Sequence, residues 1–472
     1  MEDDMKKITG MKIFILLLLG FLAPGFADTV EAKKLTLSAD SAIVMDVDSG
    51  AILYEKNIDK KQYPASITKI MTSLVAIENS SMSETVTYSK SAVLNLESGA
   101  SNINLVPGEK LSMEESLYAI LLMSANEACN GVAEHIAGSI DNYVNLMNQR
   151  AKELGCTGTH FANTNGLWMK DHYTTAHDMA LISREAYKNP DFAKITGTKR
   201  YNIPKTNKAK NGHSLHNHHG MLLAGNFPQY VYEYCVGGKT GYTLKCRYTL
   251  VTYAKKDGMT LLSVIMRADS PWSGDLNEYT DTIKLLNYGF NNYAHHDIKN
   301  DSIQHINSNY LFTRFSPFYN SATSSITVDE NAGVILPKGI GLDKAQKKIE
   351  YFSNPQTSRD GRKIIGKISY TYQNKVVGEA DIYFKDSGLP TLNDSINMSE
   401  WFDDAVEKIN KKPFPWKKTI LLSILVMAIG LLLFYLFQRI RSEREIRSRR
   451  NRYKRTNRRQ RRAERGMYIN RK

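Results

Sequence analysis

Apolar residues in the first two thirds of the chain recur with two different periods. Near each end of this region, short apolar runs are separated by turn residues such as Asp48-Ser49-Gly50 and Asp257-Gly258. This pattern predicts two β-hairpins. The predicted strands are residues 42–46 and 51–54 in the first hairpin and residues 248–253 and 259–266 in the second.

Between the two hairpins, apolar residues recur with the spacing of amphipathic helices. Helices are predicted at residues 66–77 and 114–137, and a capping box formed by Thr175 and Asp178 predicts the start of another. Two opening strands, a block of helices and two closing strands predict an antiparallel sheet covered by helices. Residues 35–293 are therefore predicted to form a domain of the α+β class.

From about residue 296 to 386 the pattern changes to short strands separated by turn residues, with a hairpin marked by Asn374. This pattern predicts a small all-β domain. It contains no group of residues that suggests chemistry, and we interpret it as a spacer or docking module. The predicted strands are residues 325–328, 333–336, 348–352, 363–372 and 376–384.

An uncharged apolar run of 19 residues, 419–437, is long enough to cross a bilayer as a transmembrane helix. Lys417, Lys418 and Arg439 flank it, which disfavours the alternative of a buried core helix. The tail that follows, residues 438–472, holds 16 Lys or Arg and 3 Asp or Glu. The positive-inside rule predicts that this tail is cytoplasmic.

The net charge of +14 belongs almost entirely to this tail, whose own net charge is +13. The remainder of the chain is nearly neutral, so no nucleic-acid-binding surface is predicted on the folded part. Membrane topology explains the basic tail, although contact with anionic lipid is compatible with it. The juxtamembrane segment 387–418 contains a predicted amphipathic helix at 399–409, which is either interfacial or packed against the β domain.

The N-terminus carries the features of a secretory signal peptide, predicted over residues 1–32. An apolar run at residues 13–22 follows three lysines and precedes small residues. The acidic residues 2–4 are atypical, and a start at Met5 or Met11 would remove them. An uncleaved anchor is the alternative. The protein is thus predicted to lie in the cell membrane with a single span and with the residues between the signal peptide and the span on the extracytoplasmic side.

Cysteines and histidines do not follow the spacing of metal sites. For Cys235 and Cys246, a disulfide and free half-buried thiols both remain open. Four histidines precede a glycine-rich segment without an interleaved acidic ligand, so we predict a loop there and no metal. The cysteines are Cys129, Cys156, Cys235 and Cys246, and the histidines are His213, His216, His218 and His219.

Ser66 and Lys69 form the first of three short motifs. Pro64 ends the preceding extended segment and Ser66 opens the helix, so one turn brings Ser66 and Lys69 to the same face. A hydroxyl is a poor nucleophile unless a nearby base accepts its proton, and a desolvated lysine can be that base. The apolar neighbours Ile70 and Met71 indicate burial rather than a solvated helix lysine.

The second motif is Ser124-Ala125-Asn126, at the end of an apolar run. Taken alone it could be a helix terminus, but beside a serine–lysine pair Ser124 can relay a proton and Asn126 can bind a peptide backbone. The third is Lys239-Thr240-Gly241. A glycine-rich strand allows close approach of a peptide, and a cation with a hydroxyl suits a terminal carboxylate. A glycine-rich turn is the alternative interpretation.

In this order and at these separations, the three motifs resemble those of the penicillin-recognising serine enzymes. Further stretches make the resemblance specific to the D-alanyl-D-alanine carboxypeptidases among the low-molecular-weight penicillin-binding proteins. It covers roughly residues 38–292 and, more weakly, the β region to about 386. The further stretches are Pro107-Gly108-Glu109, 124–128, 133–139, Thr159-His160-Phe161, Asn163, Gly166-Leu167, His172-Tyr173, Thr175-Ala176 and Asp178.

The resemblance implies a fold of the β-lactamase and DD-peptidase type and a serine D-Ala-D-Ala carboxypeptidase activity. Such an enzyme removes the terminal D-alanine from peptidoglycan stem peptides through an acyl-enzyme and is acylated by β-lactams, without a metal or cofactor. It implies that Ser66 is acylated, that Lys69 is the general base, and that Ser124 and Asn126 assist.

The resemblance also implies the substrate-binding residues of the third motif. Lys239 and Thr240 would hold the substrate carboxylate, on a strand that Gly241 keeps open to the ligand. The backbone N–H groups of Ser66 and Tyr242 would form the oxyanion hole. The chain departs from the family where relatives commonly have Ala-Gly after this strand, because Cys246 and Arg247 stand there. A spanning helix also replaces the amphipathic helix with which many relatives end.

Two other functions compete with this prediction. A β-lactamase shares the three motifs, but no Glu-x-x-x-Asn segment follows Asn126 at a suitable place, and the β domain with its anchor disfavours it. A membrane-tethered module that binds peptidoglycan or senses β-lactams without turnover is the second alternative. Both Ser66 and Lys69 are present, which favours the enzyme.

Overall fold

The structure, a computed structural model, describes residues 35–225, 227–271, 275–298, 326–329, 331–358 and 361–384. The predicted signal peptide, the juxtamembrane segment, the spanning helix at 419–437 and the basic tail all lie outside these ranges. Within them, no helix is both long and apolar enough to cross a membrane. The chain divides into two compact units, and of the described residues only 351–358, 361–366 and Phe384 belong to the second.

A five-stranded antiparallel sheet forms the centre of the first unit, with the strand order β2-β1-β9-β8-β7. Both predicted hairpins are confirmed, and they meet where β1 pairs with β9. Two short hairpins, β3–β4 and β5–β6, accompany the sheet. The strands are β1 (Ser41–Asp46), β2 (Ile52–Lys56), β3 (Thr85–Thr87), β4 (Lys110–Ser112), β5 (Arg200–Ile203), β6 (His213–His216), β7 (Cys235–Thr243), β8 (Arg247–Lys256), β9 (Met259–Ala268) and β10 (Tyr293–Asp297).

Helices bury both faces of this sheet, which explains why β1 and β9, near its centre, are buried at nearly every position. Along β1, Ile43 and Met45 face the larger core, whereas Ala42 and Val44 face the smaller one. The smaller core is closed by α8, and the larger core by most of the other helices. The helices are α1 (Lys69–Asn79), α2 (Lys90–Leu94), α3 (Met113–Met123), α4 (Asn126–Ala137), α5 (Ile140–Glu153), α6 (Ala176–Lys188), α7 (Pro190–Gly197) and α8 (Asn277–Asn292).

The helical stretch predicted at 114–137 is two helices, so that prediction is wrong in its continuity. A capping box between Ser112 and Glu115 opens α3, and Ser124 ends it with φ 58° and ψ 31° in the left-handed region. The new helix, α4, then begins at Asn126. Apolar periodicity does not reveal the break because the residues on both sides of it are buried in the same core.

The capping box predicted at the start of α6 forms only in part. Thr175 accepts a hydrogen bond from the backbone N–H of Asp178, as predicted. The carboxylate of Asp178, however, accepts hydrogen bonds from Gly158 N and Thr159 Oγ1 instead of turning back to the cap. Asp178 therefore ties the preceding loop to the helix.

All five strands predicted in the β region are present within the described residues. Four of them form a sheet with the order β11-β15-β14-β13, while β12 pairs with β10. Gln373 and Asn374 both have positive φ, as a tight hairpin turn requires, which confirms the hairpin predicted at Asn374. The strands are β11 (Ile326–Val328), β12 (Gly333–Pro337), β13 (Gln346–Thr357), β14 (Lys363–Tyr372) and β15 (Lys375–Phe384).

The four cysteines are free and buried, so the disulfide between Cys235 and Cys246 does not form. Cys235 pairs with Ala254 at one end of the β7–β8 hairpin, and Cys246 lies in the turn at the other end. Eight residues of strand at ~3.3 Å each separate them, far more than the ~7 Å that a disulfide allows between Cα atoms.

Candidate active site

Ser66 lies in a short 3₁₀ turn, Ala65–Thr68, that leads directly into α1. Pro64 precedes the turn, and Ala65 has φ 52°, a left-handed conformation that is uncommon outside glycine. The hydroxyl of Thr249 donates a 2.8 Å hydrogen bond to Pro64 O and ties the turn to β8. Strained backbone of this kind is found at functional sites, where the surrounding structure enforces it.

Lys69 is fully buried one turn after Ser66, and the structure brings the two side chains together. Lys69 Nζ lies 3.1 Å from Ser66 Oγ, 2.8 Å from Asn126 Oδ1 and 2.6 Å from the backbone oxygen of Asn165. Burial lowers the pKa of Lys69 to about 8, although the charges of Cys129 and Glu127 oppose this shift. A neutral Lys69 can donate its two N–H groups to Asn126 and Asn165 and keep its lone pair for Ser66.

The loop that supplies the Asn165 oxygen is fitted closely against the turn that carries Ser66. A side chain at Gly166, whose φ is 86°, would clash with the backbone oxygen of Ala65. Nearby, the ring Nε2 of His172 is hydrogen-bonded to Thr68 Oγ1 at 2.8 Å. Burial lowers the pKa of His172 to about 3, so this ring is neutral and serves as a structural link.

Ser124 owes its position to the break between α3 and α4. Its left-handed backbone ends α3, and its Oγ is buried without a hydrogen-bond partner among the described residues. A buried hydroxyl without a partner is costly in a folded protein and is a common sign of function. The Ser124 hydroxyl therefore has unused hydrogen-bonding capacity among the described residues.

Asn126 is oriented from two sides at the start of α4. Its Oδ1 accepts from Lys69, and its Nδ2 and its backbone N both donate to the backbone oxygen of Ser101, at 2.8 and 2.9 Å. The next residue, Glu127, is buried, and its Oε1 accepts a 2.7 Å hydrogen bond from Ile103 N in the same loop. Glu127 and Asn126 together hold this loop against the lysine.

Strand β7 brings the third motif to the same place. A Cβ added to Gly241 would lie 2.8 Å from the backbone N of Ser66, so only glycine permits this approach of strand and turn. Lys239 is fully buried, and its Nζ donates a 3.0 Å hydrogen bond to the backbone oxygen of Thr240. Tyr242 is exposed next to Gly241, and its ring packs on that of Tyr248.

Burial, and then the nearby charge of Lys69, lower the pKa of Lys239 to about 7. Because the two buried amines repel each other, the second proton is held less tightly than the first and is lost near neutral pH. The site is therefore suited to carry one positive charge on its two lysines.

The histidine cluster does not form a metal site, and no group of three or more His, Cys, Asp or Glu able to hold a metal occurs in the described part of the chain. His213 Nε2 lies 2.8 Å from a carboxylate oxygen of Glu109, a structural link between β6 and a distant loop. Contrary to the predicted loop, His213 and His216 lie in β6, whereas His218 and His219 follow it.

Three contributors to the site were not predicted from the sequence. Ser101 and Asn165 act through backbone oxygens, which leave no side-chain signal. Glu127 does leave one, because it is an acidic residue on an otherwise apolar helix directly after Asn126. The eight predicted site residues themselves fall in three places, which are the 3₁₀ turn with the first residue of α1, the α3–α4 junction and β7.

The helix-covered antiparallel sheet, with a buried lysine against a serine at the start of a helix, is the arrangement expected of the penicillin-recognising serine enzymes. Residues 28–270 match the D-alanyl-D-alanine carboxypeptidase family of serine peptidases. The chain belongs to this family and is a serine-type carboxypeptidase. The resemblance stated from the motifs is thereby confirmed.

The chain is similar to several curated relatives and to solved structures. The D-alanyl-D-alanine carboxypeptidase DacF of Bacillus subtilis is 29% identical over 391 residues, which cover 81% of this chain and 94% of that protein. The carboxypeptidase DacC of Escherichia coli is 32% identical over 279 residues, covering 56% of this chain and 66% of that protein. The solved DD-transpeptidase of Streptomyces K15 is 28% identical, with a TM-score of 0.49, over 55% of this chain and 99% of that one.

Proposed function

We propose that this chain removes the terminal D-alanine from peptidoglycan stem peptides that end in D-Ala-D-Ala, through an acyl-enzyme on Ser66. This hydrolysis limits the stems that remain available for cross-linking in the cell wall. The observation that carries the proposal is the 3.1 Å distance between Lys69 Nζ and Ser66 Oγ in a fully buried setting. β-Lactams, which acylate the same serine, are the expected inhibitors.

In the acylation step, Ser66 Oγ attacks the carbonyl carbon of the penultimate D-alanine and its proton passes to Lys69 Nζ. The low pKa of Lys69 makes the neutral, accepting form available near neutral pH. Backbone N–H groups of Ser66 and Tyr242 are proposed to stabilise the oxyanion of the tetrahedral intermediate. Support for this comes from Gly241, which brings the strand against the Ser66 amide.

The carboxylate of the terminal D-alanine is proposed to bind Lys239 and Thr240. A carboxylate beside Lys239 favours its charged form, so the single proton shared by the two lysines settles there and Lys69 stays neutral. Substrate binding then prepares the base for its task. The same argument applies to the carboxylate of a penicillin.

Breakdown of the intermediate requires a proton on the leaving amine of D-alanine. Ser124 Oγ, which has no partner among the described residues, is the proposed relay from Lys69 to that nitrogen. In deacylation, water attacks the acyl carbon and gives a proton to Lys69, which passes it to Ser66 Oγ as the ester bond breaks. Asn126 is proposed to hold Lys69 in place and to offer its remaining amide hydrogen to the substrate backbone.

We also propose the arrangement of the chain around this enzyme. A signal peptide at 1–32 would direct residues 35–293, the catalytic domain, and 296–386, the β-rich domain, to the outside of the cell. The juxtamembrane segment 387–418, a transmembrane helix at 419–437 and a cytoplasmic tail at 438–472 would then anchor them. The apolar run and its basic flank support this order.

Intact-mass analysis of the full chain in detergent, after incubation with benzylpenicillin, tests the acyl-serine mechanism. We expect the wild type to gain the mass of the drug and a Ser66→Ala variant to gain nothing. Release of D-alanine from a D-Ala-D-Ala peptide then tests turnover. A folded wild type that forms no adduct would instead support the non-catalytic binding module, and rapid loss of the adduct without D-alanine release would support a β-lactamase.

A further inference from the structure

A cavity of about 330 Å³ lies beside the nucleophile turn but outside the residues proposed for catalysis. Tyr63, three residues before Ser66, and Cys246 are among the residues that line it. The thiol of Cys246 contacts the backbone of Ala65, the residue before the serine. The ring of Trp168 packs edge-on against Tyr63, with a centroid distance of 6.0 Å. The cavity therefore opens within a few residues of the reacting centre.

Positive charge dominates the lining of this cavity. Lys60 and Arg267 share one carboxylate, Asp40, at 3.5 and 3.0 Å. The other two cations, Lys61 and Lys245, have no carboxylate partner among the described residues and instead lie over aromatic rings, 4.4 Å from the ring centroid of Tyr173 and 5.7 Å from that of Trp168. Four cations and one carboxylate give the cavity an excess of positive charge that favours an anionic ligand.

The direction of the bound peptide follows from the proposed function, on which this inference rests. With the terminal carboxylate at Lys239 and the scissile carbonyl at the amide of Tyr242, the acyl part of the substrate continues along β7 toward Thr243. Each extended residue advances the peptide by ~3.3 Å. One or two residues upstream of D-Ala-D-Ala therefore reach the β7–β8 turn, which contains Lys245 and Cys246.

We propose that this cavity, here named the basic subsite, binds a free carboxylate carried by the stem peptide upstream of D-Ala-D-Ala. Two groups have this chemistry, the α-carboxylate of a γ-linked D-glutamate and the side-chain carboxylate of a diaminopimelate. Stems in which this carboxylate is amidated or absent lose the attraction of Lys61 and Lys245. The enzyme thus selects stems by charge as well as by their terminal D-alanines.

Four synthetic pentapeptides test the basic subsite and separate the two sources. They carry D-glutamate or its α-amide at position two, and diaminopimelate or lysine at position three. The measurement is kcat/KM for D-alanine release by the full chain. We expect a preference of about fivefold to tenfold for one free carboxylate over its uncharged counterpart, as for one partly exposed charge pair, and a smaller preference at 1 M salt.

Substitutions assign the preference to the cavity. In Lys245→Ala and Lys61→Ala the ratio of the two kcat/KM values falls toward one, whereas Lys245→Arg retains it. Lys152→Ala, an exposed lysine of α5 outside the cavity, is the matched control and keeps the wild-type ratio. A preference that survives loss of both lysines, or a wild type with no preference at either position, overturns the proposal.

Acylation by benzylpenicillin, whose acyl side chain is uncharged, distinguishes an enzyme that lacks the basic subsite from a protein that lacks the proposed carboxypeptidase activity. A wild type that is acylated by benzylpenicillin and releases D-alanine, yet does not distinguish the four peptides, has the proposed activity without the basic subsite. A wild type that is not acylated at all contradicts both.

Discussion

The two buried lysines of the active site have opposite hydrogen-bonding surroundings. Lys69 is held by Asn126 and the Asn165 backbone, which are themselves fixed by neighbouring loops, and it points at Ser66. For Lys239, only the backbone oxygen of the next residue is within hydrogen-bond distance among the described groups. Among the described residues, Lys69 thus has three hydrogen-bond partners and Lys239 has one.

This difference indicates a division of work between the lysines. A base must be positioned before the reaction begins, because its lone pair has to meet the serine proton at the correct distance. A carboxylate-binding cation gains most when its own partner arrives with the substrate, because a permanent protein partner would compete with it. The predictions that follow test this division, from the largest expected effect to the smallest.

Removal of Lys69 affects acylation by every substrate. Lys69→Met deletes the proton acceptor of Ser66, and we expect the rate constant for acylation by benzylpenicillin to fall by about 10³-fold, within the range for loss of a general base. Stopped-flow or mass-based acylation kinetics measure it, and a thermal melt checks folding. A folded variant that acylates at nearly the wild-type rate would remove Lys69 from the role of base.

Removal of Lys239 affects only substrates that carry the terminal carboxylate. For Lys239→Met we expect acylation by benzylpenicillin to fall by about 10²-fold, as for loss of one partner of a buried charge pair. We expect acylation by the methyl ester of the same penicillin to be slow in the wild type already and hardly slower in the variant, because the ester offers no carboxylate to Lys239. Equal losses for acid and ester would show that Lys239 does not act through the carboxylate.

The pH dependence of acylation separates the two lysines without mutation. The neutral form of Lys69 is the proposed base, and its fraction rises with pH up to its pKa of about 8. The charged form of Lys239 is the proposed carboxylate partner, and its fraction falls above its pKa of about 7. The expected profile of the second-order rate is therefore a narrow bell that rises up to about pH 7, is nearly flat to about pH 8 and falls beyond it, with limbs that belong to the coupled pair.

The methyl ester controls this interpretation, because it does not need a charged Lys239. Its acylation rate is expected to keep the rising limb and lose the falling one, with a change of about tenfold per pH unit on the slope. Lys239→Met should give the same single limb with the acid. A profile for the acid that stays flat between pH 6 and 10 would contradict the roles of both lysines.

The fold around these lysines was largely predictable from local patterns. Both outer hairpins and the five strands of the β region follow from apolar runs between turn residues, and all are present. The three motifs were predicted to converge because they match in order and separation. The sequence could not show that Ser101 and Asn165 contribute to the site. Both act through backbone carbonyl oxygens, which any residue could supply.

The errors have the same origin in backbone conformation. Apolar periodicity predicted one helical stretch at 114–137 because it reports which side is buried and not whether the axis continues. The break between the helices at Ser124 depends on its φ of 58°. A glycine at this position would have suggested such a conformation from the sequence, whereas a serine does not. Likewise, the sequence could not decide whether Cys235 and Cys246 form a disulfide. The register of the hairpin excludes the bond because it places the two cysteines at opposite ends.

Ser124 resembles Lys239 in lacking a protein partner for its side chain, and a pair of variants separates its chemistry from its conformation. Ser124→Ala and Ser124→Gly both delete the hydroxyl, so we expect the same fall in D-alanine release, about 10²-fold for a lost proton relay. Glycine adopts the left-handed conformation without strain, so denaturant unfolding should find Ser124→Gly more stable than Ser124→Ala by about 1 kcal/mol.

Agreement in activity with a difference in stability would mean that the hydroxyl acts chemically and that the helix break is maintained against strain to present it. If Ser124→Ala released D-alanine as fast as the wild type, the unpartnered hydroxyl would not be the relay, and Lys69 would have to deliver the proton to the leaving amine directly. If only the glycine variant stayed active, the conformation of the break would matter and the hydroxyl would not.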